Sequence, residues 1–287
     1  MKKTGNLKRI LMLVLAIALV VSMSACGPKV EEPAKVQEQP KTEEPAKVQE
    51  PAKEEAKVAL TVSAAASLKD AMGEIKTEYE KEKQNVTVTY NFGASGSLQQ
   101  QIEQGAGVDV FVSAAVKQMD ALKEKGLILE DTRKDFLENK IVLIVPKDSS
   151  SVADFKDLSS DKVKKIGLGE PKSVPVGQYA EEVLKKLNLL DSIKAKVVYG
   201  KDVKEVLTWV ETGNADAGIV YETDAKVSDK VKVVAKAPEG SHQPVYYPAA
   251  VIKDSKNVDA AKDYVNFLYS EKAKPIFEKY GFVFMVK

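Results

Sequence analysis

The chain has 287 residues, with 43 lysines and arginines against 42 aspartates and glutamates and a formal charge of +1 at pH 7. So even a balance provides no field to recruit nucleic acid. One cysteine and one histidine exclude a disulfide framework, a zinc site and a Ser/His/Asp constellation, so the chain must fold on its apolar core alone.

Lys2, Lys3, Lys8 and Arg9 precede an apolar run from Ile10 to Val21, followed by Met23-Ser24-Ala25-Cys26. The run is shorter than the roughly 20 apolar residues of a membrane span and has no basic stop-transfer flank, so residues 1–25 are expected to be a signal peptide. The tetrapeptide resembles the lipobox of bacterial lipoproteins, with Met23 where leucine is usual. That resemblance implies that Cys26 carries a lipid and holds the protein on the extracytoplasmic face of the cell membrane. Residues 26–57 follow as a tether: Glu31-Glu32-Pro33-Ala34-Lys35-Val36-Gln37-Glu38 recurs at 43–50, and its prolines and mixed charges favour an extended, solvated segment.

From Val58 onward, β-rich runs alternate with helical patterns. Strands are expected at 60–66, 86–90, 108–113, 140–146, 165–168, 196–198, 217–221 and 231–234. Leu68, Met72, Ile75 and Tyr79 repeat at helical spacing, as do Val183, Leu184 and Leu187, and Val203, Val206, Leu207 and Val210. The alternation argues an α/β protein with largely parallel sheets and ligands at the carboxyl ends of the strands. The length beyond residue 57 suits two modest lobes better than one core.

Four strand-to-helix turns could carry chemistry. In the first, Ser67 stands at the expected N-cap of the helix that begins with Leu68; in the second, Gly93-Ala94-Ser95-Gly96-Ser97 repeats the arrangement. Each serine could simply cap its own helix, a role worth about 1 kcal/mol. The third turn has Pro175 at the helix entry, with free amides at Val176 and Gly177, and the fourth has Asp202 as N-cap and Val203 as first helical residue. Convergent helix N-termini would make an anion site without basic side chains, and Tyr221, ending the strand Gly218-Ile219-Val220, could add a phenolic donor. The one arginine after the signal peptide, Arg133, falls in a polar helical pattern, leaving no bidentate clamp for a carboxylate ligand. His242 reads as a surface-loop residue.

Ala64-Ala65-Ala66-Ser67-Leu68, Gly93-Ala94-Ser95-Gly96-Ser97-Leu98, Val174-Pro175-Val176-Gly177-Gln178-Tyr179-Ala180, Gly218-Ile219-Val220-Tyr221 and the closing Tyr280-Gly281-Phe282 together resemble the periplasmic molybdate-binding proteins of ABC importers. The resemblance spans the chain from about Val58 to Lys287. It implies a periplasmic-binding-protein fold of two lobes, 58–140 plus 248–287 and 141–247, with a ligand cleft at the hinge and crossings near Lys140 and Tyr246-Tyr247-Pro248. It implies an oxyanion, molybdate or tungstate, held by Ser67, Ser95, Val176, Val203 and Tyr221, with no cofactor and no metal cation, and an ABC permease as partner. Val176 stands where alanine is common and Gly96 where serine is frequent. A monomer is the expectation for a hinge-closing receptor.

Sulfate is the nearest rival, since neutral donors recognise charge and shape but not the central atom. Phosphate would call for an acceptor, which Asp202 or Glu170 could supply. A secreted serine hydrolase lacks a base partner, and a purely structural lipoprotein leaves the four turns unexplained. No enzyme activity is expected.

Overall fold

The computed structural model describes residues 56–286. The expected signal peptide, Cys26 and all but the end of the tether lie outside them. Up to Asn139 the chain runs β1 (Val58–Ala65), α1 (Lys69–Glu82), β2 (Val86–Gly93), α2 (Ser95–Glu103), β3 (Val110–Val112), α3 (Val116–Glu124) and β4 (Lys134–Asn139). Beyond Lys140 follow β5 (Ile141–Pro146), β6 (Ile166–Gly169), α4 (Pro175–Lys186), α5 (Leu190–Ile193), β7 (Val197–Gly200), α6 (Val203–Glu211), β8 (Ala217–Tyr221), α7 (Glu222–Lys226) and β9 (Val231–Lys236). The chain closes with β10 (Val245–Val251), α8 (Val258–Leu268), α9 (Lys274–Lys279) and β11 (Val283–Phe284).

Two mixed sheets result, ordered β11-β4-β10-β3-β1-β2 and β7-β6-β8-β5-β9. The helical spacing of Leu68, Met72, Ile75 and Tyr79 holds in part: all four are buried, Leu68 in the 3-10 turn that leads into α1 and the other three on the face that α1 turns to its sheet. Burying a side chain such as Met72 or Ile75 contributes roughly 1.5–3 kcal/mol, and a polar residue at Ile75 would forfeit that and open the packing under β1. A second cluster, with Leu98, Ile102, Phe111, Met119 and Leu122, fills the space under α2 and α3.

Three expectations are corrected. Lys134–Asn139 is strand rather than part of a polar helical region, and Arg133 before it is extended, with its guanidinium 3.0 Å from Asp120 and 3.4 Å from Asp135. Residues 245–247 already pair with β4, so the chain returns to the first sheet between Lys236 and Val245, ahead of the expected crossing; Tyr246-Tyr247-Pro248 lies inside β10. Ser67 caps no helix: it sits in a 3-10 turn, Ala66–Leu68, and α1 starts after it at Lys69.

The register of the parallel strands positions the turns. β1 pairs with β2 so that Ala65 lies beside Gly93, and with β3 so that Ala64 lies beside Val112. Ser67 and Ser95, each two residues past a paired position, therefore emerge on one rim with Ala114. In the second sheet Gly169 lies beside Gly200 and Gly167 beside Gly218, which brings the starts of α4 and α6 and the end of β8 to one rim.

Candidate functional site

The two rims meet around a small pocket. Ala65, Ala66 and Ser67 line it from the first turn, Gly93, Ala94 and Ser95 from the second, Val174, Pro175 and Val176 from the third, and Asp202 and Val203 from the fourth, with Ala114 and Tyr221 completing the wall. All five residues expected to contact the ligand are thus brought together, though they span more than 150 positions of sequence. They are also withdrawn from bulk solvent, Val203 and Ser67 being the most exposed at 4 % and 5 %.

An internal donor orients the Ser95 hydroxyl, and Ser67 has an internal partner. Ala114 N–H donates to Ser95 Oγ at 2.9 Å, so this serine accepts from the protein and keeps its own hydrogen for the cavity. Ser67 Oγ lies 2.9 Å from Tyr247 Oη. Neither serine side chain caps its helix, which removes the capping explanation for both. Tyr221 Oη reaches the Ala114 carbonyl only at 3.5 Å, too long for a strong bond, and burial pushes its phenol well above the ordinary value, so it stays a protonated donor.

The backbone donors come from helix geometry. Pro175 opens α4, where its missing N–H would have had no partner anyway, and Val176 follows it. Val203 opens α6 behind Asp202, whose carboxylate accepts Glu205 N–H at 2.9 Å in the expected cap. First-turn amides such as those of Val176 and Val203 have no acceptor within their own helix, and the helix dipoles add partial positive charge there.

Acceptors are scarce. Asp202 is the one ionisable carboxylate among the lining residues, and its Oδ1 accepts the cap bond; Glu170, outside the wall, turns to Lys172 N–H at 3.3 Å. The lining is therefore richer in donors than in acceptors.

Two contacts that no local pattern announces bind the rims together. Gly96 N–H donates to the Ser173 carbonyl at 2.9 Å, from the second turn to the third. A Cβ at Gly96 would lie 2.6 Å from that oxygen and 2.8 Å from Ser173 Cα, which accounts for glycine at this position. Lys204 Nζ, one residue past Val203, lies 2.8 Å from Asp70 Oδ2 on α1 and 3.1 Å from the fully buried Asp224 on α7.

The family model for bacterial extracellular solute-binding proteins matches residues 60–283. The chain belongs to this family. YvgL of Bacillus subtilis, provisionally named an ABC transporter substrate-binding lipoprotein, is 49% identical over 229 residues, covering 79% of this chain and 87% of YvgL. The molybdate-binding protein ModA of Haemophilus influenzae is 42% identical over 231 residues, covering 79% of this chain and 91% of that one. A solved substrate-binding domain assigned to molybdenum ABC transport in Clostridium difficile superposes with a TM-score of 0.62 at 57% identity, covering 78% of this chain and 98% of that chain. Two mixed sheets flanked by helices in this family make the periplasmic-binding-protein fold, and the protein is a solute-binding component rather than an enzyme.

Proposed function

We propose that the protein captures molybdate, or the closely similar tungstate, outside the cytoplasm and presents it as a monomer to an ABC permease. The observation that carries this is the donor-rich cavity: Ser67 and Ser95 hydroxyls, Val176 and Val203 amides and the Tyr221 phenol line one small space whose one carboxylate, Asp202, is engaged through Oδ1 in a helix cap. A fully ionised tetrahedral oxyanion satisfies such a set, and a protonated one would need an acceptor for its own hydrogen. Relatives that bear the molybdate name at 40% identity or more support the choice of ion. Ser67 and Ser95 belong to the first lobe, residues 58–140 with the C-terminal strands, and Val176, Val203 and Tyr221 to the second. Ligand bridging the two would favour the closed state of the hinge.

The test is mutational. A hydrogen bond to a charged group contributes about 1.5–3 kcal/mol, so Ser67→Ala, Ser95→Ala and Tyr221→Phe should each weaken molybdate binding by roughly 10- to 100-fold. Calorimetry on each variant measures this directly. Native affinity in both serine variants would overturn the site.

We also infer that Cys26 is lipidated after removal of residues 1–25 and that the tether at 26–57 holds the folded part off the membrane. Cys26→Ser should then release the protein from the membrane fraction with ligand binding intact; retention of a processed Cys26→Ser protein in the membrane would contradict the anchor.

A further inference from the structure

Asn139 ends β4, beside the crossing to the second sheet, and Tyr247 lies in β10; neither lines the cavity. Both are buried, at 3 % and 0 % exposure. The Lys140 backbone N–H, which can only donate, bonds Asn139 Oδ1 at 2.8 Å and so fixes which way the amide faces. Asn139 Nδ2 then donates its two hydrogens, to Thr223 Oγ1 at 2.8 Å and to Tyr247 Oη at 3.1 Å. Tyr247 Oη lies 2.9 Å from Ser67 Oγ, a contact in which either oxygen can donate; with one Tyr247 lone pair taken by Asn139, our assignment has Tyr247 donate and Ser67 accept. The Ser67 hydrogen is then left for the cavity. Burial pushes the Tyr247 phenol well above its ordinary value, so the hydrogen it passes on is present at any physiological pH.

We propose that Asn139 and Tyr247 are positioning residues that hold the Ser67 hydroxyl as a donor toward bound oxyanion, through the one-way chain Asn139 Nδ2–H to Tyr247 Oη–H to Ser67 Oγ–H. The proposal rests on the oxyanion reading of the cavity. Its specific content is that polarity at Ser67 is imposed from outside the site. A serine without an internal donor can rotate its hydroxyl and present either a hydrogen or a lone pair, and only the hydrogen attracts an anion. The chain also joins the first sheet, through β4 and β10, to Thr223 beyond the end of β8, so the orientation of Ser67 depends on the two halves being docked.

A double-mutant cycle on the full chain tests it, with molybdate affinity read by calorimetry. Tyr247→Phe keeps the ring that packs edge-on against Phe282 and removes only the hydroxyl. It should weaken binding by roughly tenfold where Ser67 is present and by less than about twofold in a Ser67→Ala background, because a lost hydrogen bond to an ionic ligand counts once. Asn139→Ala, one link further back, should show the same coupling to Ser67 at smaller amplitude, and serves where Tyr247→Phe does not fold. An equal loss in both backgrounds, or no loss with Ser67 in place, would overturn the positioning role while leaving the oxyanion site standing. A Ser67→Ala protein that binds molybdate as tightly as its parent would overturn the oxyanion contact, and this proposal with it.

Discussion

Gly177→Ala is expected to abolish detectable ligand binding and to lower the melting temperature by roughly 6–12 °C. The third residue of α4 sits directly over the end of β6, where an added Cβ would overlap the Gly169 carbonyl oxygen and lie 2.6 Å from its carbon. Both atoms are backbone, so no side chain can swing aside. Relief requires moving the start of α4 off the strand, and overpacking of this kind costs about 3 kcal/mol or more; for a domain of this size that corresponds to the stated shift in melting temperature, about 2–4 °C per kcal/mol. The same movement displaces the neighbouring Val176 amide from the cavity wall. Melting curves and calorimetry on one variant check both consequences, and a variant that binds normally would show that the Val176 amide is not a contact.

Lys204→Met is the second large effect expected, this time on stability. Asp224 has no solvent exposure, and the Lys204 ammonium is the cation that reaches it. Burial raises the Asp224 carboxyl above the ordinary value and Lys204 pulls it partly back; burial works to lower Lys204, but Asp224 and Asp70 outweigh it and leave the ammonium above the ordinary lysine value. Removing one partner of a buried pair costs about 3–5 kcal/mol because the other charge is stranded. In the variant the stranded Asp224 titrates higher still. A carboxyl whose folded value lies above its unfolded value loses stability as pH rises through it, so the deficit should be larger at pH 8 than at pH 5. Thermal melts at both pH values measure it, and Lys204→Met combined with Asp224→Asn should recover part of the loss. An unchanged melting temperature would mean that the triad linking α1, α6 and α7 contributes nothing net.

What could be read from sequence follows the range of the interactions. Central strands are legible because their apolar runs are continuous, as in the antiparallel Ile141–Pro146 and in Ala217–Tyr221, and the ends of β1, β2, β6 and β7 mark the four turns. The antiparallel pairing that makes both sheets mixed rather than largely parallel does not show in those runs. β4 is hidden because its adjacent apolar pair, Phe136 and Leu137, is buried on both faces and flanked by charges, so neither strand nor helix periodicity shows. β10 is hidden by Pro248, tolerated at a register shift between Tyr247 and Pro248 that spares the ladder a donor. Ser67 looks like a cap because a cap is a local device; its hydroxyl turns instead to Tyr247, 180 residues away. Asn139 and Lys204 are missed for the same reason, and so are the close backbone contacts that require glycine at positions 96 and 177. Each matters through a backbone or side chain that only the tertiary fold brings alongside. The Gly177 amide, expected to be free, donates to the Val174 carbonyl at 2.9 Å.

Calorimetric titration of the protein with molybdate, tungstate, sulfate and phosphate at neutral pH tests the central claim most directly. A cavity lined by oriented neutral donors should bind molybdate and tungstate with similar affinity and phosphate far more weakly, with sulfate set apart from molybdate only by the fit of its smaller tetrahedron. Phosphate binding comparable to that of molybdate would mean that Asp202 or a wall carbonyl accepts its proton, and would contradict the reading of the site as one for fully ionised oxyanions.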